Sequence, residues 1–301
     1  MNSSVNIAGI TLKNPVISAS GTCGFGREYD EYYPVFELGA VCVKGLTLSP
    51  RAGNPPPRVA ESPAGMLNSV GLQNPGVEAF IANELPWLKE RGAVAIANAS
   101  GNTQDEYVEM ARLLSDTAVD MVELNLSCPN VKEGCMLFGV QPRLVEEVTR
   151  AAKAVCTKPI IVKLSPNVTD ITEIAKAAEA GGADAVSLIN TLLGMRIDIH
   201  SQRPVLGNTV GGLSGPAVLP VALRMVWQVA SAVRIPVVGM GGISTGEDAV
   251  EFLLAGARAV AVGTACFVDP YAPLKIIEGI RAYMALHDVD DVNDLVGGVK
   301  V

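Results

Sequence analysis

Histidine is nearly missing: His200 and His287 are the only two in 301 residues. The six cysteines, Cys23, Cys42, Cys128, Cys135, Cys156 and Cys266, contain no CxxC pair. With so few histidines to join them, the chain lacks the ligand spacing of a zinc or iron–sulfur site. Lys and Arg, 23 against 31 Asp and Glu, cluster nowhere, and the net charge of −8 argues against binding a phosphate backbone. Although 49% of the residues are hydrophobic, no apolar run approaches the roughly eighteen residues that cross a bilayer. The first residues, MNSSVNIAGI, have neither the basic start nor the apolar core of a signal peptide. No GxGxxG follows the first apolar run, and no linker rich in Pro, Gly or Ser divides the chain. These absences predict a soluble cytoplasmic protein with reduced thiols.

What is present is alternation. Short β-rich runs occur at Pro15–Ser18, Ala40–Lys44, Val94–Asn98, Met121–Asn125, Ile160–Leu164, Ala185–Ile189, Pro236–Gly239 and Ala259–Val262. Helical patterns follow them at Glu28–Leu38, Val77–Arg91, Gln104–Ser115, Pro142–Val155, Ile171–Ala180, Ala217–Val233, Gly246–Ala255 and Ala272–Leu286. In the fifth of these, Ile171, Ile174, Ala175 and Ala178 recur at helical spacing. Eight such units in one chain of this length predict an α/β fold, a (β/α)8 TIM barrel forming a single domain over 1–301. Val5–Ile7 and Thr11–Leu12, around Ala8-Gly9, predict a short N-terminal β-hairpin across the bottom. The long connections Gly45–Asn74, Pro129–Gln141 and Asn190–Gly215 are of a length that usually carries function.

The chain is organised around ELNLSCPN, residues 123–130. Pro129 has no N–H and biases Cys128 away from helix, so the strand stops there and a glycine-bearing loop begins. A free cysteine is ordinarily a small buried hydrophobe. Here its neighbours argue otherwise. In a barrel the active site lies at the C-terminal strand ends, where the sequence puts Ser20, Lys44, Asn98, Asn125, Lys163, Asn190, Gly241 and Gly263. One lysine after an apolar run would read as a solvated charge. Two lysines and three asparagines at one mouth read as a site.

The last two units add GMGGIS (239–244) and Gly263-Thr264-Ala265. Glycine lets backbone N–H groups approach an anion, and the next helix N-terminus adds its dipole. Loops seven and eight are the common phosphate site of barrels, so the ligand reads as a phosphorylated cofactor or substrate. Lys163 is placed to stand under an electron-accepting ring, and Lys44 to meet a carboxylate. Asn68, Asn125 and Asn190 suit a ring with alternating N–H and C=O groups. Cys128 then reads as a base, since no histidine lies nearby in sequence to make it a nucleophile.

These residues resemble class 1 dihydroorotate dehydrogenases along nearly the whole chain. The resemblance is carried by ASGTCGFG (19–26), KGLTLSPRAGNPPPR (44–58), GMLNSVGLQNPG (65–76), NLSCPN (125–130), IVKLSPN (161–167), INT (189–191), GGLSGP (211–216), GMGGI (239–243) and VGTA (262–265). It implies FMN at the barrel mouth and oxidation of (S)-dihydroorotate to orotate in pyrimidine biosynthesis. FMN would contact Ser20, Lys44, Gly45, Asn98, Asn125, Lys163, Ile189, Gly215, Gly241, Gly242, Gly263 and Thr264. Orotate would contact Lys44, Asn68, Ser69, Val70, Gly71, Leu72, Asn125, Asn190 and Thr191. Cys128 matches the family's catalytic base, taking a proton from C5 while hydride leaves C6.

Class 2 enzymes use serine as base and carry an N-terminal extension, so they resemble this chain less. GTCGFG, GMLNSVGLQNPG and NTLLGMRIDIHSQRP look like the 1B type rather than the homodimeric, fumarate-using 1A type. The 1B resemblance implies a homodimer core within a heterotetramer, a partner subunit carrying FAD and a [2Fe–2S] cluster, and NAD⁺ as final acceptor. A related flavin barrel acting on uracil is the alternative enzyme, and Lys44 argues against it because uracil has no carboxylate. A non-catalytic flavin-binding subunit is disfavoured by the presence of Cys128 and both lysines. Cys135, seven residues from the base, departs from the small residue expected in that loop, and reads as a neutral substitution in a reducing compartment.

Overall fold

The computed structural model describes residues 1–126 and 138–300. Eight parallel strands close into a barrel in chain order: β1 Val16–Ser18, β2 Ala40–Cys42, β3 Ala95–Ala99, β4 Met121–Asn125, β5 Ile160–Lys163, β6 Ala185–Leu188, β7 Val237–Met240 and β8 Ala259–Val262. Closure runs through β8 and β1, with Val260 opposite Val16 and Val262 opposite Ser18. Every residue of β3, β4 and β5 is buried, because one face fills the barrel and the other meets the helices. A hairpin of Val5–Ile7 and Ile10–Leu12 turns at Ala8 and Gly9, both at positive φ. Asn6 reaches the N-terminal ends of β7 and β8, beside Val237 and Arg258, so the hairpin lies at the bottom as expected.

One device recurs in the walls. Asp120, just before β4, accepts from the Ala95 N–H at 2.7 Å and pairs with Lys89 at 2.6 Å. Asp184, just before β6, accepts from the Ile160 N–H at 2.7 Å and pairs with Lys153 at 2.5 Å. Each aspartate thus ties a preceding helix to the start of the strand beside its own. These pairs are part exposed, so the charge term is worth only about 0–1 kcal/mol each; their value is in fixing register.

The helices differ from expectation in two places. The segment predicted as Glu28–Leu38 is a short helix at Arg27–Asp30 and a 3₁₀ turn at Val35–Glu37. Pro34 separates them, since it has no N–H and disfavours helix at Tyr33. Val77–Arg91 is interrupted by a π-turn at Phe80–Glu84, directly before Pro86 in Leu85–Glu90. A proline there has no N–H for the preceding turn, and the wider turn accommodates it. Two of the long connections are more ordered than the sequence suggested. Leu192–Gly194, Gly211–Ser214, Gly65–Asn68 and Val59–Ser62 pair as a four-stranded antiparallel sheet in that order.

Helices Gly246–Leu254 and Ala272–Leu286 cross at a pair of glycines. A Cβ on Gly246 would stand 2.5 Å from Gly279 Cα, and one on Gly279 would stand 2.8 Å from Gly246 Cα. Gly279→Ala should therefore force the helices apart and cost about 1–3 kcal/mol of unfolding free energy, as overpacking does. Urea denaturation measures this; an unchanged midpoint would refute the close contact.

Candidate functional site

At the C-terminal end of the barrel lies a cavity of about 220 Å³. Strand ends make its floor, with Lys163, Met240 and Ala261, and the accessory sheet makes one wall, with Val59, Met66, Asn68, Leu213 and Ser214. Lys163 ends β5, only 5% exposed, opposite Asn125 in the β4–β5 register. Lys44 lies two residues past β2 and its backbone N–H donates to Gly24 O at 2.9 Å. Its ammonium stands 3.4 Å from where a Cβ on Gly21 would be. At φ +87°, Gly21 is favoured by its backbone, while a Cβ there would meet the ammonium only at ordinary contact distance. Among the described residues the lining holds two lysines and no carboxylate. Such a cleft attracts anions.

Of the expected cofactor residues, Ser20, Lys44, Gly45, Asn125, Lys163, Ile189, Gly215, Gly241, Gly242, Gly263 and Thr264 all line this cavity. So do Asn68, Val70, Gly71, Leu72, Asn190 and Thr191 from the expected substrate set. Two residues do not. Asn98 is fully buried beneath the floor, and Ser69 is fully buried behind its loop. Both belong to the layer behind the surface. The Ser69 hydroxyl has no hydrogen-bond partner among the described residues, while its carbonyl accepts from Asn54 Nδ2 at 2.8 Å. Cys128 and Cys135, with the rest of 127–137, lie outside the described residues.

Asparagines, Asn74 buried and Asn167 half-buried, hold the loops that carry these groups. Asn74 Oδ1 accepts from the N–H groups of Thr47 and Gly76, and Nδ2 donates to Thr47 Oγ1 and Leu72 O at 2.9 and 2.7 Å. This ties the substrate loop to the connection after β2. Asn167 donates to Thr191 O at 3.1 Å and accepts from the Leu193 N–H at 2.9 Å, fixing the turn that presents Asn190 and Thr191. Tyr107 donates to Asn125 O at 2.8 Å. Thr264 donates to Ser214 Oγ at 2.8 Å, joining the loop after β8 to the accessory sheet.

The glycine loops fit a phosphate group. Gly241 and Gly242 have φ of +132° and +82°, and added Cβ atoms would lie 2.6 Å from Ala222 Cβ and 2.7 Å from Leu219 Cβ. No turn or loop backbone hydrogen bond among the described residues uses the N–H groups of Gly242 and Thr264. The N-terminus of helix Gly246–Leu254 behaves differently from expectation. Thr245 and Asp248 form a capping box, and Asp248 also accepts from the Ser244 N–H at 2.8 Å. That terminus is met by its own carboxylate, so loop backbone rather than helix dipole is left for the anion. Neutral donors on one side and two ammonium groups on the other fit a ligand that carries a phosphate and an electron-accepting ring, as the expected FMN does.

Sequence reasoning missed Glu123. It is 4% exposed on β4, sharing the inward face with Asn125. Its carboxylate accepts from Asn98 Nδ2 and Ser187 Oγ, each at 2.6 Å, and from the Cys42 thiol at 3.4 Å. Burial first, and then the charge of Glu123, push the Cys42 thiol well above its usual range, so it remains a donor. The signal was a glutamate inside an otherwise apolar strand. Near the mouth, Cys23 and Cys266 are both buried with sulfurs 3.9 Å apart, joining the loops after β1 and β8.

The sequence model of the family described as Dihydroorotate dehydrogenase matches residues 2–284. A protein of Alkaliphilus oremlandii (strain OhILAs) is 59% identical over 98% of this chain and 98% of its own. One of Thermoanaerobacter pseudethanolicus (strain ATCC 33223 / 39E) is 56% identical over 100% of both. Both are named Dihydroorotate dehydrogenase B (NAD(+)), catalytic subunit. Among solved structures, that of DHODH from Eimeria tenella in complex with ferulenol has a TM-score of 0.82, covering 99% of this chain and 88% of that one. At 23% identity it speaks for the fold alone.

A side chain at position 242 would press on Leu219, with its Cα and N both at 2.9 Å from the new Cβ. If this loop holds the phosphate of the expected FMN, Gly242→Ala should displace the loop and weaken FMN at least tenfold, about 1.4 kcal/mol. Titration of FMN-free protein, followed by quenching of flavin fluorescence, measures the constant. Unchanged affinity would remove the phosphate from this loop.

Proposed function

The chain belongs to the dihydroorotate dehydrogenase family, and on that premise we propose how its site oxidises dihydroorotate to orotate as the catalytic subunit of an NAD⁺-linked enzyme. The observation that carries the reading is the cavity's charge pattern: Lys44 and Lys163 with Asn68, Asn125 and Asn190, and no lining carboxylate among the described residues. FMN, when bound, supplies the hydride acceptor for C6 of the substrate.

The chain's own residues do the rest. Gly241, Gly242, Gly263 and Thr264 hold phosphate through backbone N–H groups. Lys44 meets the substrate carboxylate, which a uracil-like substrate lacks. Asn68, Asn125 and Asn190, with Thr191, match the ring's alternating N–H and C=O groups and fix its orientation. The backbone of Val70, Gly71 and Leu72 closes on the ring's edge. Lys163 lies on the strand next to Asn125 and offsets negative charge arising beside it. Cys128 takes the proton from C5, the role its NLSCPN setting supports. The substrate thus loses a proton and a hydride, and a C5=C6 double bond forms.

The chain has no dinucleotide fingerprint, and among the described residues no group of three or more His, Cys, Asp or Glu side chains could hold a metal ion. No helix among the described residues is long and apolar enough to cross a membrane. Electrons then leave through contact with a partner subunit carrying FAD and a [2Fe–2S] cluster. In this reading two copies of the chain form the core of a cytoplasmic heterotetramer.

Anaerobic titration tests the activity: dihydroorotate should bleach the bound flavin and dihydrouracil should not. Cys128→Ala should slow that bleaching by roughly 10²–10⁴-fold with FMN retained, the usual worth of a general base. A variant that reduces at the wild-type rate would remove the thiol from the mechanism. Lys44→Ala should weaken orotate strongly, whereas Lys163→Ala should act on flavin occupancy or potential; equal orotate affinity in both, with FMN kept, would overturn the assignment. The chain alone should reduce artificial acceptors but not NAD⁺. Rapid NAD⁺ reduction without a partner would sink the partner subunit, and efficient turnover with fumarate would indicate the 1A type.

A further inference from the structure

Glu123 is a buried carboxylate that does not itself line the cavity and stands one layer below it. It borders a small void under the mouth, together with Ser18, Cys42, Met240 and Ala261. Its two oxygens are already met by Asn98, Ser187 and Cys42, so it is not placed to exchange protons with a substrate. Its effect must pass through a neighbour.

The neighbour is Asn98. A carboxylate has acceptors only, so the 2.6 Å contact to Glu123 Oε1 must be made by the Asn98 NH₂ group. That fixes which way the Asn98 amide faces, a choice that electron density alone seldom settles for asparagine. Its Oδ1 is consequently turned toward the mouth. There it lies 2.9 Å from the position a Cβ on Gly45 would take, and 3.5 Å from Asn125 Nδ2. The second contact is at the long limit of a hydrogen bond, but its polarity follows from the first. With Nδ2 toward Asn98, the Oδ1 of Asn125, itself a cavity-lining residue, lies on the other side of the amide.

We propose that Glu123 is a positioning residue: through Asn98 it sets the donor–acceptor polarity of Asn125, and so the orientation in which a ring with alternating N–H and C=O groups is accepted. This rests on the proposed function, which supplies both the ring and the role of Asn125. A neutral amide at 123 has both a donor and an acceptor end, so Asn98 is no longer held to one orientation. The mouth then presents a mixed polarity to the ligand, while the barrel keeps its shape.

The test uses holoenzyme and reads orotate binding from the perturbation of flavin absorbance, alongside FMN affinity and thermal unfolding. Glu123→Gln should bind orotate about ten- to a hundredfold more weakly while keeping FMN, the loss of roughly one well-made polar contact. Asn98→Ala should lose orotate affinity comparably, and the double variant should lose no more than the worse single one, because the two act in series. Ser187→Ala removes a donor from the same carboxylate without freeing the amide, and should stay within about twofold of wild type. Wild-type orotate affinity in Glu123→Gln, or losses that multiply in the double variant, would overturn the relay. If Glu123→Gln does not fold, Asn98→Ala and Ser187→Ala decide: loss in the first alone supports the relay, and any other pattern overturns it. A wild-type protein that takes up neither FMN nor orotate overturns the proposed function, and the positioning role with it.

Discussion

Closing eight parallel strands on one another is the constraint from which the rest follows. Parallel strands run in one direction, so every C-terminal end arrives at one mouth. The registers between neighbours decide which side chains meet there. Asn125 faces Lys163 across β4 and β5, and Asn98 faces Glu123 across β3 and β4. A slip of one residue in β4 would turn Glu123 and Asn125 out among the helices. Asp120 guards against that slip from the other end of the barrel, bonded to the first N–H of β3, and Asp184 does the same for β6 against β5.

The closed barrel also explains why a carboxylate is tolerated inside it. Burying an ion is costly unless hydrogen bonds replace its water. Three donors from three different strands converge on Glu123: Cys42 from β2, Asn98 from β3 and Ser187 from β6. Only a barrel brings strands two and six to one side chain on strand four. Glu123 and Lys163 act in opposite senses on the Cys42 thiol, the first raising and the second lowering its pKa. Both side chains therefore lie near that thiol inside the barrel.

Strand runs and strand-end residues were legible because each reads locally. A buried parallel strand is a short apolar run, and Lys44, Asn125 and Lys163 interrupt or end such runs. The glycine loops were legible for the same reason. The accessory sheet was not. Gly65–Asn68 and Gly211–Ser214 are short, glycine-bearing and half-buried, so they lack the alternation that marks a strand, and their pairing spans more than a hundred residues of chain. The sequence placed Asn98 and Ser69 at the site's surface, whereas both lie behind its wall, because depth depends on the loops laid over them. The capping role of Asp248 was overlooked in favour of the glycines before it. Glu123 was hidden because a sequence gives no means of counting donors contributed by other strands.

The division between backbone and side-chain donors carries a consequence for selectivity. The loops after β7 and β8 contribute no lysine or arginine to the cavity lining. Under the proposed function they must hold phosphate by N–H groups alone, which is sufficient for an anion at glycine-rich turns. In the same reading the two lysines serve the rest of the ligand set: Lys44 a carboxylate, Lys163 charge that appears on the ring system. Had a lysine been placed at the phosphate, the cavity would favour any phosphorylated ligand over the pair. Under the proposed function, cations kept on β5 and just past β2 would favour two ligands together: one anchored by its phosphate, and one presenting a carboxylate beside an amide-like ring.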